Sequence, residues 1–235
     1  MAFKIETHAH TSEVSGCGRI PGADLAALYA DAGFDAIVIA DHYYEGFFAK
    51  APELDWRGQM DRYLRGFREA REAGERLGLR VFLGVELLLA SGPNDFLLFG
   101  LNEETLLAEE RLHLRSLAEI RAMADRLGAA LFGAHPFRPR MLPLDPAVVH
   151  GVEVMNGHPN HPSDNPRALA FARQHGLRMT AGSDAHFLEG AVRAWMEFDR
   201  DILDGADLAA ALLRREKAAL VGPDGFRLEV GGAGA

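Results

Sequence analysis

The chain has 235 residues, 48% of them hydrophobic, which is enough core for one large α/β barrel or two small domains. Its 34 acidic against 25 basic residues give a net charge of −9, which opposes non-specific attraction to a nucleic-acid backbone. No stretch approaches the ~20 uninterrupted apolar residues of a membrane helix. The N-terminus also lacks a basic segment followed by an apolar signal core, and the single cysteine, Cys17, has no internal disulfide partner. The expectation is a cytoplasmic protein with no membrane partner, in which Cys17 is an ordinary loop thiol.

The predicted elements alternate along the chain. An apolar run at 3–7 leads into His8-Ala9-His10, and a helical pattern at 22–32 follows. A second run at 36–40 ends in Asp41-His42, and the next helical pattern covers 60–77. The run at 81–89 contains Glu86, and the run at 96–101 is preceded by Asp95. After a long helical pattern at 103–127, the run at 129–134 ends in His135. A run at 152–155 is flanked by Glu153 and Asn156, then a helix is predicted at 163–175, and the run at 178–181 precedes Asp184-Ala185-His186. A last helical pattern covers 206–217, and the Gly/Ala tail at 231–235 is expected to fray. Each helical pattern has apolar residues at three- and four-residue spacing, and Gly33, Gly78, Gly128 and Gly176 stand where helix C-caps are expected. The short apolar runs read as buried parallel strands. Seven βα units in one domain without linker or repeat predict an α/β fold of the distorted, TIM-like (β/α)7 barrel kind.

Ligand-type residues follow nearly every strand. In a βα barrel those ends form the active face, and imidazoles or carboxylates buried there cost free energy unless paired or metal-bound. His8 and His10, two apart on one strand, project from the same face. The pattern is that of a multinuclear metal centre.

His8-Ala9-His10, Ala40-Asp41-His42, Gly84-Val85-Glu86, Ala134-His135-Pro136 and Gly182-Ser183-Asp184-Ala185-His186 together resemble the ordered motifs of the polymerase and histidinol phosphatase (PHP) family. The resemblance spans 5 to about 190 and takes 1–235 as a single domain, with 191–230 completing or capping the barrel. It implies a distorted seven-stranded barrel that holds two or three divalent ions and hydrolyses phosphate esters. By the same resemblance His8, His10, Glu86 and Asp184 hold one ion, Glu86 bridges to a second bound by His135, and His42 and His186 hold a third. Two positions depart from the commoner pattern. Where an Asp or His often follows the second histidine this chain has Ser15 and Gly16, so Glu13 is the expected substitute; a histidine shortly after the bridging glutamate is replaced by Asp95. The mixed ligand set suits Zn, Mn or Fe, with Mg also open.

The mechanism expected is attack on phosphorus by an activated water whose pKa is lowered from ~16 toward ~7, with no nucleophilic side chain. Glu86, Asp184 and His186 would carry the catalytic centre and Arg138 would clamp the phosphate, with Arg19, Arg140 and Arg193 as further candidates. Asp41 is expected to orient a ligand rather than bind. The aromatic segment 43–48 is either a substrate wall or core packing, and His158 and His161 are expected to be exposed. No function is assigned to His113, His150 or His175. The substrate expected is a small phosphorylated metabolite or nucleotide, with nucleic acid disfavoured and homo-oligomerisation open. The competing readings are an amidohydrolase-type metal hydrolase and an inactive PHP-like binding or structural domain.

Overall fold

The structure, a computed structural model, describes residues 2–232. All seven predicted strands form: β1 (Phe3–Ala9), β2 (Ala36–Ile39), β4 (Arg80–Leu88), β5 (Asp95–Phe99), β6 (Ala130–Gly133), β7 (Gly151–Asn156) and β8 (Arg178–Gly182). Four short ones join them: β3 (His42–Tyr43), β9 (Trp195–Phe198), β10 (Ala218–Val221) and β11 (Arg227–Val230). The sheet order is β11-β10-β9-β1-β2-β4-β5-β6-β7-β8, with β3 beside β4. The sheet curls until β8 returns to β1, where His10 N donates to Ala185 O at 2.9 Å and Ala185 N to His8 O at 3.2 Å. A distorted, nearly closed α/β barrel results, as the sequence predicts.

One expectation needs correction, because the strands are not all parallel. β5 runs antiparallel to both β4 and β6, and β9 is antiparallel to β1. Only residues 89–94 join β4 to β5, too few for the crossover of a dozen or more residues that a parallel neighbour requires.

The helices are α1 (Gly22–Asp31), α2 (Glu45–Phe48), α3 (Trp56–Tyr63), α4 (Arg65–Leu77), α5 (Glu103–Ala108), α6 (Leu117–Leu127), α7 (Asn165–Gln174) and α8 (Gly205–Leu213). The pattern at 60–77 is therefore divided at Leu64, and that at 103–127 is broken where Arg111 takes φ 52° and Ser116 starts a new capping box. Gly33, Gly78, Gly128 and Gly176 all take the left-handed conformation expected of them. Of the predicted tail, 233–235 lie outside the described residues, while Gly232 N donates to Arg215 O. Among the described residues no helix is long and apolar enough to cross a membrane.

Tyr43, Phe47 and Phe48 are buried in the core, packed against Tyr63, so they do not form a substrate wall. Tyr44 alone of that segment's aromatics stacks edge-on to His42.

Candidate metal centre

Glu6 and His8 alternate along β1, His10 continues the alternation just past its end, and all three are fully buried. β8 approaches closely here because residue 182 is glycine: a Cβ at Gly182 would stand 2.6 Å from the His8 Cβ. Asp184 and His186 follow that strand, His42 lies in β3, Glu86 in β4, and His135 follows β6. Asp95 belongs at this rim because β5 is antiparallel, so its first residue pairs with Leu88 at the C-terminal end of β4. His135 and Asp184 take φ 29° and 53°, a conformation disfavoured for non-glycine residues that is sustained here by the surrounding contacts.

Three groups of side chains converge. Each places its ligand atoms within 4.8 Å of one another: His8, His10 and Asp184; Glu86, Asp95 and His135; and His10, His42 and His186. Glu86 connects the first two groups. Its Oε1 is 3.3 Å from His8 Nε2 and 3.0 Å from His135 Nε2, while Oε2 is 3.6 Å from His10 Nε2 and 2.5 Å from His42 Nδ1.

The tautomers are set by what lies behind each ring. His8 Nδ1 donates to Glu153 Oε1 at 3.0 Å, and His186 Nδ1 donates to the Asp184 carbonyl at 2.9 Å. Ser15 Oγ donates to Asp41 Oδ1 at 2.7 Å, so its oxygen accepts from His10 Nδ1 at 3.2 Å. His42 turns its Nδ1 to Glu86 Oε2 at 2.5 Å and its Nε2 to Cys17 Sγ and His186 Nε2. His8, His10 and His186 thus keep a proton on the outer Nδ1, so that on yielding any second proton each would offer Nε2 to a metal. His8 Nε2, His10 Nε2 and Asp184 Oδ1 are buried without a hydrogen-bond partner, although the nitrogens stand only 3.6 and 3.3 Å from the oxygen. Buried polar atoms left unpaired so close together fit a bound cation, and the donor set suits divalent ions.

Burial opposes charge on His8 and His42, but Asp184, Glu153 and Glu86 around the first and Glu86 beside the second raise both well above the ordinary imidazole value, so a bound cation would take the place of those protons. Burial raises the Glu86 carboxyl, but the charges of His42 and His8 outweigh it and hold the group well below the usual carboxylate range. Asp184 is likewise held well below that range by His8 against the effect of burial. Burial and then the nearby Glu86 push Asp95 up to about 6. Burial, with the charges of His186 and His42, holds His10 well below the ordinary imidazole value.

Glu13 does not join the cluster. Its carboxylate accepts from Gly22 N at 3.1 Å, capping α1, where a negative charge is favoured by the helix dipole. Ser15 stands at the departing position instead, with Asp41 behind it; Asp41 also accepts from Thr11 N and Thr11 Oγ1, each at 2.7 Å. Asp41 therefore orients His10 through Ser15. Arg138 lies against the centre, its Nη2 donating to Asp184 Oδ2 at 2.7 Å and to Asn156 Oδ1 at 3.1 Å. Arg193 is directed away onto the Gly157 carbonyl, and Arg140 is exposed.

Three residues carry more than the sequence reading gave them. Glu153 holds His8 and also accepts from His135 N and Asn156 Nδ2. Glu6, pushed up to about 7 by burial, accepts from His8 N, Ser183 N and the Tyr29 hydroxyl, and its place in the same alternation as His8 and His10 was the available signal. Cys17 is a loop thiol, but its Sγ is 3.2 Å from His42 Nε2; burial raises its pKa, and hydrogen bonds from His186 and His42 outweigh this and lower it to about 6. His158, expected to be exposed, is buried beside His186 with ring centroids 5.5 Å apart, whereas His161 is exposed.

Residues 162–216 match the model of the family PHP_C, described as PHP-associated. No curated protein sequence matches the chain. Solved structures share the fold. One is a two-domain protein from Bacteroides vulgatus containing a predicted PHP-like metal-dependent phosphoesterase, with TM-score 0.62 and 22% identity over 94% of this chain and 65% of that one. A second is PsfC from Pseudomonas syringae, with TM-score 0.66 and 18% identity over 95% and 92%. A third is endonuclease Q in complex with a 27-mer duplex bearing an abasic lesion, with TM-score 0.62 and 13% identity over 90% and 56%. The chain thus spans less than two thirds of the length of the first and third of these. The PHP_C match covers 162–216 alone, and these neighbours, at 22%, 18% and 13% identity, share the fold of the whole chain.

Proposed function

We propose that the chain is a metal-dependent phosphoesterase acting on a phosphate ester of a small metabolite or nucleotide. The observation that carries this reading is the cluster of His8 Nε2, His10 Nε2 and Asp184 Oδ1, buried without hydrogen-bond partners beside Glu86. His8, His10, Glu86 and Asp184 would hold one ion, Glu86, Asp95 and His135 a second, and His42 and His186 a third. Bound there, divalent ions would supply an activated water as nucleophile and neutralise the phosphate oxygens and leaving alkoxide. Glu153, Ser15 and the Asp184 carbonyl keep the ring protons on the outer nitrogens. Arg138 steadies Asp184 and adds positive charge beside the phosphate. The reading takes 1–235 as one domain, in which β9 extends the sheet beyond β1.

The test is elemental analysis of the purified chain, combined with hydrolysis of aryl phosphate mono- and diesters, an abasic duplex, amides and lactones, with Mn, Zn, Fe(II) or Mg added. Metal with ester hydrolysis supports the proposal. Amide or lactone cleavage alone would identify an amidohydrolase, and duplex cleavage would move the substrate from metabolites to DNA. Glu86→Gln is expected to abolish activity and lower bound metal. His113→Ala is expected to do neither, because that ring stacks on Phe48 at 5.1 Å within the core. Equal effects from the two variants would overturn the assignment.

A further inference from the structure

We propose that Cys17 is a thiolate ligand of the third ion, completing with His42 and His186 a sulfur-containing site for a borderline-soft divalent cation such as zinc or Fe(II). The inference rests on the metal-centre reading above and deepens it. His10 presents one free nitrogen, Nε2, because its Nδ1 is engaged by Ser15. That nitrogen is fully buried and unpartnered, and it faces two places at once, the His8–Asp184 pair and the His42–His186 pair. If it serves the first ion, the third has two imidazoles and needs another donor.

The loop between β1 and α1 supplies one. Arg19 N donates to His186 O at 2.7 Å, which ties the loop to the rim and sets Cys17 Sγ 3.2 Å from His42 Nε2. His42 Nε2 is in turn 3.4 Å from His186 Nε2. In a tetrahedral site with bonds of ~2.05 Å to nitrogen and ~2.3 Å to sulfur, donors stand about 3.3 Å (N,N) and about 3.6 Å (N,S) apart. The observed separations lie close to both. On coordination the thiol would release its proton to solvent and the sulfur lone pair would form the bond; no redox change is involved. A thiolate donor selects for zinc or iron over magnesium.

Cys17 is the single cysteine, so any thiolate signal reports on it alone. The whole chain is stripped, reloaded with Co(II), and read by absorption and by metal content. The wild type is expected to show a near-ultraviolet sulfur-to-cobalt charge-transfer band, lost in Cys17→Ser and also in His186→Asn, where a thiol binding cobalt adventitiously would keep it. Cys17→Asp is expected to lose the band but retain the metal content. Cobalt bound without the band would overturn the role of Cys17 and leave the metal centre standing. A chain that binds no cobalt would overturn the metal-centre reading itself. Circular dichroism of the variants separates loss of the site from loss of the fold.

Discussion

Glu153→Gln changes one atom's chemistry without changing the side chain's shape, and it isolates the control of the His8 tautomer. Glu153 Oε2 accepts from His135 N at 3.0 Å and from Asn156 Nδ2 at 2.9 Å, so the glutamine oxygen must take that place to avoid setting an amide against two donors. Its NH2 then faces His8 Nδ1, where Oε1 stood 3.0 Å away. The ring must move its proton to Nε2 and turn an N–H toward Asp184 Oδ1, 3.6 Å off, in place of a lone pair. Changes to groups that orient metal-bound histidines cost ~10–100-fold in affinity, about 1.4 to 2.7 kcal/mol. The fold should bear the change, since exchanging two hydrogen bonds to a charged acceptor for two neutral ones costs ~1–2 kcal/mol. The assay is metal titration together with thermal unfolding, with and without metal. At a metal concentration ~100 times the wild-type Kd, the wild type gains ~2.7 kcal/mol from binding, and a variant bound 100-fold more weakly gains only ~0.4 kcal/mol. A variant that binds metal as tightly as the wild type would refute the tautomer argument.

Two further predictions concern the frame around the site. Gly66→Ala in α4 would drive a Cβ into Thr11 Oγ1, the donor to Asp41 Oδ2, so it should cost ~1–3 kcal/mol or more by thermal unfolding and weaken metal binding through Asp41 and Ser15. Gly92→Ala, with open space around the new methyl, should stay within ~0.5 kcal/mol, and comparable losses from both variants would contradict the packing argument. His150 is held below its ordinary value, first by burial; its Nδ1 accepts from Leu131 N and its Nε2 donates to Asp125. The folded state therefore resists a proton that the unfolded chain accepts, and the contribution is complete above pH ~6.5 and lost as the pH falls below it. Urea unfolding of the metal-free chain should show a larger loss on acidification for the wild type than for His150→Gln, and equal losses would contradict the sign.

The barrel was legible because buried strands and amphipathic helices alternate with capping glycines between them, while strand direction was not read from the runs themselves. The apolar run of β5 carries no polarity of its own, yet the short connection at 89–94 already excluded a parallel neighbour. β9 alternates buried and half-buried residues over only four positions, too short to stand out against loop sequence. The break at Leu64 escaped the helical pattern because an apolar residue there fits the 3.6-residue period whether or not the helix continues.

The inward-facing histidines and carboxylates were legible for a different reason: period-two alternation on β1 and the ends of successive strands place side chains without any knowledge of loops. What stands behind these side chains was not, because each supporting contact joins distant segments: Glu153 to His8, Ser183 to Glu6, Cys17 to His42. Glu13 shows the limit most clearly. Counting from His10 reaches Ser15 and Gly16, and Glu13 is the acidic substitute nearby, but Ser15 N bonds back to Thr11 O and Gly18 N to Ser15 O, and this tight winding sends position 13 to the α1 N-terminus while bringing 15 and 17 to the rim. Charge balance makes the same point about the whole centre. Glu6, Asp41, Glu86, Glu153 and Asp184 are buried together, and the guanidinium that reaches them is that of Arg138, which contacts Asp184 alone among these carboxylates. Burial raises Glu6 and Asp41 and so lightens that load, but the charge of Glu86 and Asp184 must still be met by protonated His8 and His42 or by cations in their place, and the unpaired Nε2 atoms mark where those would sit.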